Sequence, residues 1–182
     1  MLANIIDNIM KPQDFKKVQK TFTSPDMDWK LAPVLSDEQD IKYENKNYQL
    51  AHNIYWQSMP HSKTIELLSP IFEDDRLKIF SIHKIKANCN VWTPEIYEHG
   101  MHVDVNHVHK PFPYLWTGIF YLNTCDGYTL LENGEKIDSI ENRFVFFPMI
   151  LNHTGTTVTN APYRIVINFN FVSYHKWPTQ ER

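Results

Sequence analysis

The chain has 182 residues, 42% hydrophobic and 21% charged, which suits one globular domain with a sizeable core and leaves too little chain for two. Eighteen basic side chains against 21 acidic ones give a formal charge of −3, without the surplus of cations needed to grip a phosphate backbone, so nucleic acid is not an expected partner. Five glycines, at 100, 118, 127, 134 and 155, never come closer than seven residues, which excludes phosphate cradles of the G-x-G-x-x-G or G-x-x-x-x-G-K type.

The first ten residues are partly apolar but carry Asp7 and no basic leader, so they do not read as a signal peptide. Pro12 suits a first helical position, and Phe15, Val18 and Phe22 follow at helical spacing, which predicts an amphipathic helix over 12–22. The polar stretch Ser36 to Asn47 reads as a loop too short to separate domains. A second helix is expected from Ser62, with Ile65, Leu68 and Phe72 as its buried stripe. From Leu77 the period changes to two: Leu77, Ile79, Ile85, Ala87, Cys89 and Val91 share one face, and Lys78, Lys84, Lys86, Asn88 and Asn90 the other. The lysines are expected to face solvent. Further strands are expected at 115–122, 128–131, 143–147, 156–159 and 164–172, with Arg143 in solvent at a turn. The longest apolar run, Phe144 to Leu151, is eight residues and holds Pro148, too short for a membrane helix. Cys89 and Cys125 form no C-x-x-C and read as free buried thiols, so a soluble cytoplasmic protein is expected. Many short strands with turn signals between them indicate a mainly β domain spanning 1–182. Residues 1–76 are expected to give helical and loop support, and 77–172 a sandwich or jelly-roll core.

His102-Val103-Asp104 is an H-x-D, and in a strand residues i and i+2 point to one side, where an imidazole and a carboxylate can share a metal. With nine His and eleven Asp, about half a match arises by chance, so the pair needs a third ligand. His153, 51 residues on, can supply it from another strand. Arg164 begins a strand in which Ile165, Ile167, Phe169 and Phe171 alternate with Arg164, Val166, Asn168 and Asn170. If the apolar face packs on the core, the guanidinium faces a cavity and needs a ligand carboxylate. Thr117 and Tyr121 share a face of the 115–122 strand and offer two hydroxyls to such a ligand.

The segments HVD at 102–104, TGIFYLN at 117–123, NRFVFFP at 142–148, His153 and APYRIVINF at 161–169 together resemble the core of the Fe(II)- and 2-oxoglutarate-dependent dioxygenases, especially their prolyl 4-hydroxylase-like branch. The resemblance runs from about Trp92 to Val172. It implies a double-stranded β-helix (jelly roll, cupin-like) with flanking N-terminal helices, and His102, Asp104 and His153 as iron ligands. It further implies Arg164 as the partner of the distal carboxylate of 2-oxoglutarate, Tyr121 as a hydrogen-bond donor to that carboxylate, and Asn168 as a polar helper. The activity implied is O₂-dependent hydroxylation of a C–H bond in a peptide or small molecule, with release of succinate and CO₂. Asp104 fills the position that halogenating relatives leave to halide, so hydroxylation is favoured.

Two departures from that branch are visible. Gly127-Tyr128-Thr129-Leu130 replaces an adjacent glycine pair, so Tyr128 is expected to narrow the pocket, and Trp92 stands where a tyrosine is common. His99, His107 and His109 read as loop residues near the entrance, since no glutamate follows H-V-H in the cupin manner. The competing readings are a non-catalytic jelly-roll binding module and a cupin-type metal oxygenase that does not use 2-oxoglutarate. An inward-facing Arg164 argues against the second.

Overall fold

The computed structural model describes residues 3–33, 48–104 and 112–177. In chain order the elements are β1 (Asn4–Ile6), α1 (Pro12–Phe22), β2 (Lys30–Pro33), β3 (Tyr48–Trp56), β4 (Met59–Pro60), a 3₁₀ turn (Lys63–Leu68), α2 (Ser69–Phe72), β5 (Ile79–Val91), β6 (Leu115–Tyr121), β7 (Tyr128–Leu131), β8 (Lys136–Asp138), β9 (Arg143–Pro148), β10 (His153–Gly155) and β11 (Tyr163–Ser173). Eight strands form one antiparallel sheet in the order β1-β9-β6-β11-β5-β3-β2, with β4 on β3, and a second sheet runs β10-β7-β8. The segment 92–102 extends the small sheet beyond β10 through single bridges, Trp92 to Val158, Glu98 to Thr156 and His102 to His153. Two sheets facing one another in this way make a jelly roll, the double-stranded β-helix that the sequence leads one to expect.

Strand β11, central in the large sheet, divides the molecule into its two functional halves. Its odd residues, Ile165, Ile167, Phe169 and Phe171, are buried in one cluster with Phe15, Val18 and Phe22 of α1 and with Leu68 and Ile71. That face is sealed by helices, and each fully buried aromatic there contributes roughly 3–5 kcal/mol by the usual truncation scale. The even residues, Arg164, Val166, Asn168 and Asn170, look the other way into a cavity. A smaller apolar cluster, including Ile119, Tyr121, Leu131, Val145 and Phe147, closes part of the space between the sheets. Packing on β6 is tight enough to require a glycine: a Cβ on Gly118 would lie 2.5 Å from Phe144 Cζ.

Helix α1 lies where the periodicity puts it, with Phe15, Val18 and Phe22 buried and Pro12 opening it. The second helix differs. The expected continuous stripe is broken at Leu68, because Pro70 lacks an N–H and starts a new turn, so Ile71 is fully buried while Ile65 and Phe72 are only partly so. The expected strand at 156–159 is also corrected: the paired strand is His153–Gly155, and Thr156 and Val158 make only isolated bridges. The described residues of 1–76 supply four strands in addition to helices, with β1 paired to β9 and β3 to β5. Arg143 is not a free surface cation but clamps Asp7 through Nε at 2.6 Å and Nη2 at 3.0 Å, tying β9 to the N-terminal segment. A register shift opposite Asn170 and Phe171 lets Ile82 turn towards the core despite its even number. Val91 is exposed rather than in the apolar row. The Ser36 to Asn47 loop, His107 and His109 lie outside the described residues. Cys89 and Cys125 are buried free thiols, and burial pushes Cys89 up to about 11. No helix among the described residues is long and apolar enough to cross a membrane.

Candidate active site

His102, Asp104 and His153 meet at one wall of a cavity of about 480 Å³. Their ligand atoms lie within 4.8 Å of one another, with Asp104 Oδ1 3.9 Å from His102 Nε2 and 3.8 Å from His153 Nε2. The H-x-D does not sit in a regular strand as expected. His102 is a single bridge residue, exchanging both backbone hydrogen bonds with His153 at 3.0 and 2.9 Å, and Asp104 follows in a bend. Pairing two ligand-bearing residues directly across a bridge brings their rings to 4.8 Å between centroids, so convergence comes from cross-strand pairing rather than from alternation.

Each group is oriented from behind. His102 Nδ1 lies 2.9 Å from Gly100 O and His153 Nδ1 3.3 Å from Leu151 O. Because a carbonyl only accepts, these contacts put the proton on Nδ1 and leave both Nε2 lone pairs facing Asp104. Asp104 Oδ2 accepts from Asn170 Nδ2 at 2.8 Å and Thr117 Oγ1 at 3.4 Å, which turns Oδ1 towards the histidines. Burial raises the Asp104 carboxyl, yet His153, the Asn170 amide, His102 and Lys84 together hold it below the ordinary carboxylate range. Burial lowers His153, with Asp104 opposing, so a neutral imidazole is favoured. Two imidazoles and one carboxylate on a common point fit the donor set of a two-histidine, one-carboxylate centre for divalent iron.

Arg164 stands on the same cavity, 2% exposed. Its Nη2 donates to Thr129 Oγ1 at 3.1 Å, its guanidinium lies 5.6 Å from the Tyr121 ring centroid, and its Nε has no acceptor. No carboxylate among the described residues pairs with it. Burial lowers its pKa, a cost that a bound carboxylate would offset. The arginine fits only because position 127 is glycine: a Cβ there would meet Arg164 Cδ at 2.5 Å and the Thr157 carbonyl oxygen at 2.7 Å. Gly127→Ala is therefore expected to destabilise the fold by roughly 1–3 kcal/mol, the range for overpacking, and to displace the guanidinium. Urea unfolding midpoints and 2-oxoglutarate titration check both effects.

The structure brings His102, Asp104, His153, Arg164 and Asn168 onto one cavity. Thr117 is buried and turned to Asp104 and Asn170, six residues along β11 from Arg164. Tyr121 is fully buried and donates its hydroxyl to Thr129 Oγ1 at 2.9 Å, so Thr129 stands between it and the cavity. Tyr128 does not narrow the cavity; its hydroxyl turns away to Glu98, and Lys136 Nζ sits 4.1 Å over its ring. Trp92 is exposed and donates to Thr159 O. Sequence reasoning missed Thr129, Asn170 as the amide that holds Asp104, and the cavity-lining lysines of β5. His99 lies outside the regular strands, as expected of a loop residue, but stands inside the cavity lining rather than at its entrance, 8% exposed against Asn90, with its Nε2 3.3 Å from Oδ1.

Burial, reinforced by Arg164 and His102, pushes His99 down to about 3 from 6.5. As pH falls below 6.5 the unfolded chain takes up a proton that the folded chain refuses until about 3, so stability is lost across that window. At pH 5 the loss is about 2 kcal/mol. His99→Gln is expected to shrink the difference between urea midpoints at pH 7 and pH 5 by that share.

No protein-family model and no curated protein matches the sequence. Solved structures match the fold over nearly the whole chain. A 2OG-Fe(II) oxygenase family oxidoreductase from Burkholderia pseudomallei is 15% identical, with a TM-score of 0.60 and coverage of 100% of this chain and 89% of that one. A prolyl hydroxylase from Trichoplax adhaerens, solved with a hypoxia inducible factor peptide fragment, is 18% identical, with a TM-score of 0.60 over 94% and 84%. The non-haem α-ketoglutarate-dependent carbocyclase SnoK of nogalamycin biosynthesis is 9% identical, with a TM-score of 0.62 over 98% and 83%. The sheet order, the facing of β11 and these likenesses agree on one point: the chain has the double-stranded β-helix fold of the 2OG-Fe(II) oxygenases.

Proposed function

We propose that the chain is an Fe(II)- and 2-oxoglutarate-dependent dioxygenase that hydroxylates a C–H bond of a small molecule, free amino acid or peptidyl residue. The observation that carries this reading is the pairing, within one cavity, of a convergent His-Asp-His set with a buried arginine that has no carboxylate partner among the described residues. A cupin-type oxygenase without 2-oxoglutarate has no use for such an arginine, and a retired binding module has no use for an oriented triad. The structural likenesses include enzymes for a peptide and for natural-product chemistry, so both substrate kinds stay within the proposal. Buried unpaired cysteines suit a reducing, cytoplasmic setting.

His102, Asp104 and His153 would hold the iron. When bound, it supplies the centre at which O₂ is reduced as 2-oxoglutarate is oxidised to succinate and CO₂, one oxygen atom going to succinate and the other to the substrate. Arg164 and Thr129 bind the distal carboxylate; the Tyr121 hydroxyl holds Thr129 from behind rather than donating directly. Asn168 adds a polar wall, with its buried Oδ1 unpartnered, and Thr117 with Asn170 keeps the Asp104 carboxylate aligned. Ile119 and Val166 in the lining limit water around the bound cosubstrate.

Adding Fe(II) and 2-oxoglutarate without oxygen should produce the weak visible charge-transfer band of the chelate, and admitting O₂ should release succinate. Absence of both the band and succinate would refute the enzyme reading.

A further inference from the structure

The cavity floor is a two-strand ladder. Along β11 and β5 the cross-strand pairs run Arg164 with Asn90, Val166 with Asn88, Asn168 with Lys86 and Asn170 with Lys84. Lys84 and Lys86 both line the cavity, at the end where Asn170 holds Asp104, and Arg164 lies about 20 Å along the strand from Asn170 at roughly 3.3 Å per residue. They are therefore not a solvated face.

Among the described residues no carboxylate lies within ion-pairing distance of either lysine, and Asp104, already turned to the histidines and Asn170, acts on both only at longer range. Lys84 Nζ rests 5.4 Å from the Trp56 ring centroid. Among the described lining residues the charged groups are one carboxylate, Asp104, against three cations, Lys84, Lys86 and Arg164. A divalent metal and the dianionic cosubstrate cancel one another, so loading the site leaves the same excess of positive charge. Burial lowers Lys86, and Lys84 beside it lowers it further, with Asp104 opposing, so a bound anion would favour the charged form of Lys86. With no arginine among the described lining residues at this end and no glycine-rich amide cradle in the chain, recognition of an anion here would rest on lysine point charges.

We infer that Lys84 and Lys86 form a second anion site in the cavity and that the substrate is anionic, docking a carboxylate or phosphate on this pair beside the His-Asp-His set. That the bound anion is a substrate rests on the proposed function; the anion site itself rests on the ladder.

The Lys84 contact with Trp56 provides a readout that needs neither metal nor turnover. Tryptophan fluorescence of the full chain is followed while N-acetylglycine and glycerol 3-phosphate are added, each against its neutral counterpart, N-acetylglycinamide or glycerol, with Trp56→Phe identifying the reporting ring. At least one anion is expected to give a saturable change that its neutral partner does not give, and the responding member of the pair tells carboxylate from phosphate. Lys84→Gln/Lys86→Gln should weaken that response tenfold or more, Lys84→Arg/Lys86→Arg should retain it, and Arg164→Met should leave it in place. Thermal unfolding of each variant establishes that it is folded. Equal responses to charged and neutral partners, no response to either anion, or loss with Arg164→Met but not with the lysine variants would overturn the inference. So would a tenfold loss of 2-oxoglutarate affinity in the lysine variants, which would hand the pair to the cosubstrate. Lysine-dependent anion binding in a protein that makes neither chelate band nor succinate would leave the anion site standing and refute the oxygenase reading.

Discussion

Asp104→Ala is expected to abolish 2-oxoglutarate-dependent succinate formation, with a loss of a thousandfold or more, while leaving the protein folded. Among the described residues the carboxylate is the one anion that faces both Nε2 atoms, at 3.9 and 3.8 Å, so its removal leaves two imidazoles and no negative charge to hold a divalent ion. The structural cost is small by comparison. Deleting the buried carboxylate leaves the Asn170 amide and the Thr117 hydroxyl with one acceptor fewer and removes an ion that its surroundings favour on balance, a cost of about 1–3 kcal/mol. At about 2–4 °C per kcal/mol for a domain of this size, the metal-free variant should melt roughly 2–12 °C below the parent and still fold. The contrast appears with metal: Mn(II), added without oxygen, should raise the melting temperature of the parent and not of the variant. Asn170→Ala, which removes only the orienting amide, should weaken metal binding about 10–100-fold, as second-layer partners do. An Asp104 variant still stabilised by Mn(II) would remove the carboxylate from the ligand set.

Which parts of this site are legible in the sequence follows from the range over which each residue acts. Arg164 and the apolar row from Ile165 to Phe171 belong to one uninterrupted strand, so alternation alone gives both faces. His102 and Asp104 are close in sequence, and His153 joins them through a resemblance spanning several segments. The bridge that sets their geometry is a long-range pairing with no local signature. Thr129 is hidden for the same reason: it meets Arg164 from the opposite sheet, 35 residues away. Lys84 and Lys86 were on the correct face of their strand in the pattern, but whether that face sees solvent or a cavity depends on the small sheet opposite, which the pattern does not contain. The N-terminal strands escaped because β1 and β2 have only three and four residues, too few for a period, and are fixed by neighbours far along the chain.

Arg164→Met tests the other end of the cavity and separates cosubstrate binding from metal binding. Methionine matches the aliphatic length of arginine and its thioether suits the Tyr121 ring that the guanidinium now faces, so folding should be preserved or improved; a buried cation without an anionic partner stabilises nothing by itself. The loss falls on the ligand. A carboxylate in this site gains a charge-assisted contact with a guanidinium that is 2% exposed and already aimed by Thr129, an interaction whose removal costs about 2–5 kcal/mol. That converts to a 2-oxoglutarate dissociation constant raised by roughly 30- to several thousand-fold. Fe(II) or Mn(II) alone should bind as in the parent, because no triad member touches Arg164. Arg164→Lys should recover only part of the affinity, since an ammonium is a point charge that cannot present two parallel N–H bonds to a carboxylate and stands on a stem that Gly127 and Thr129 are not shaped to guide. Anaerobic titration of the charge-transfer band measures the affinity, and Mn(II)-induced stabilisation measures the metal site in the same samples. Unchanged 2-oxoglutarate affinity in Arg164→Met, with metal binding intact, would remove this arginine from the cosubstrate site.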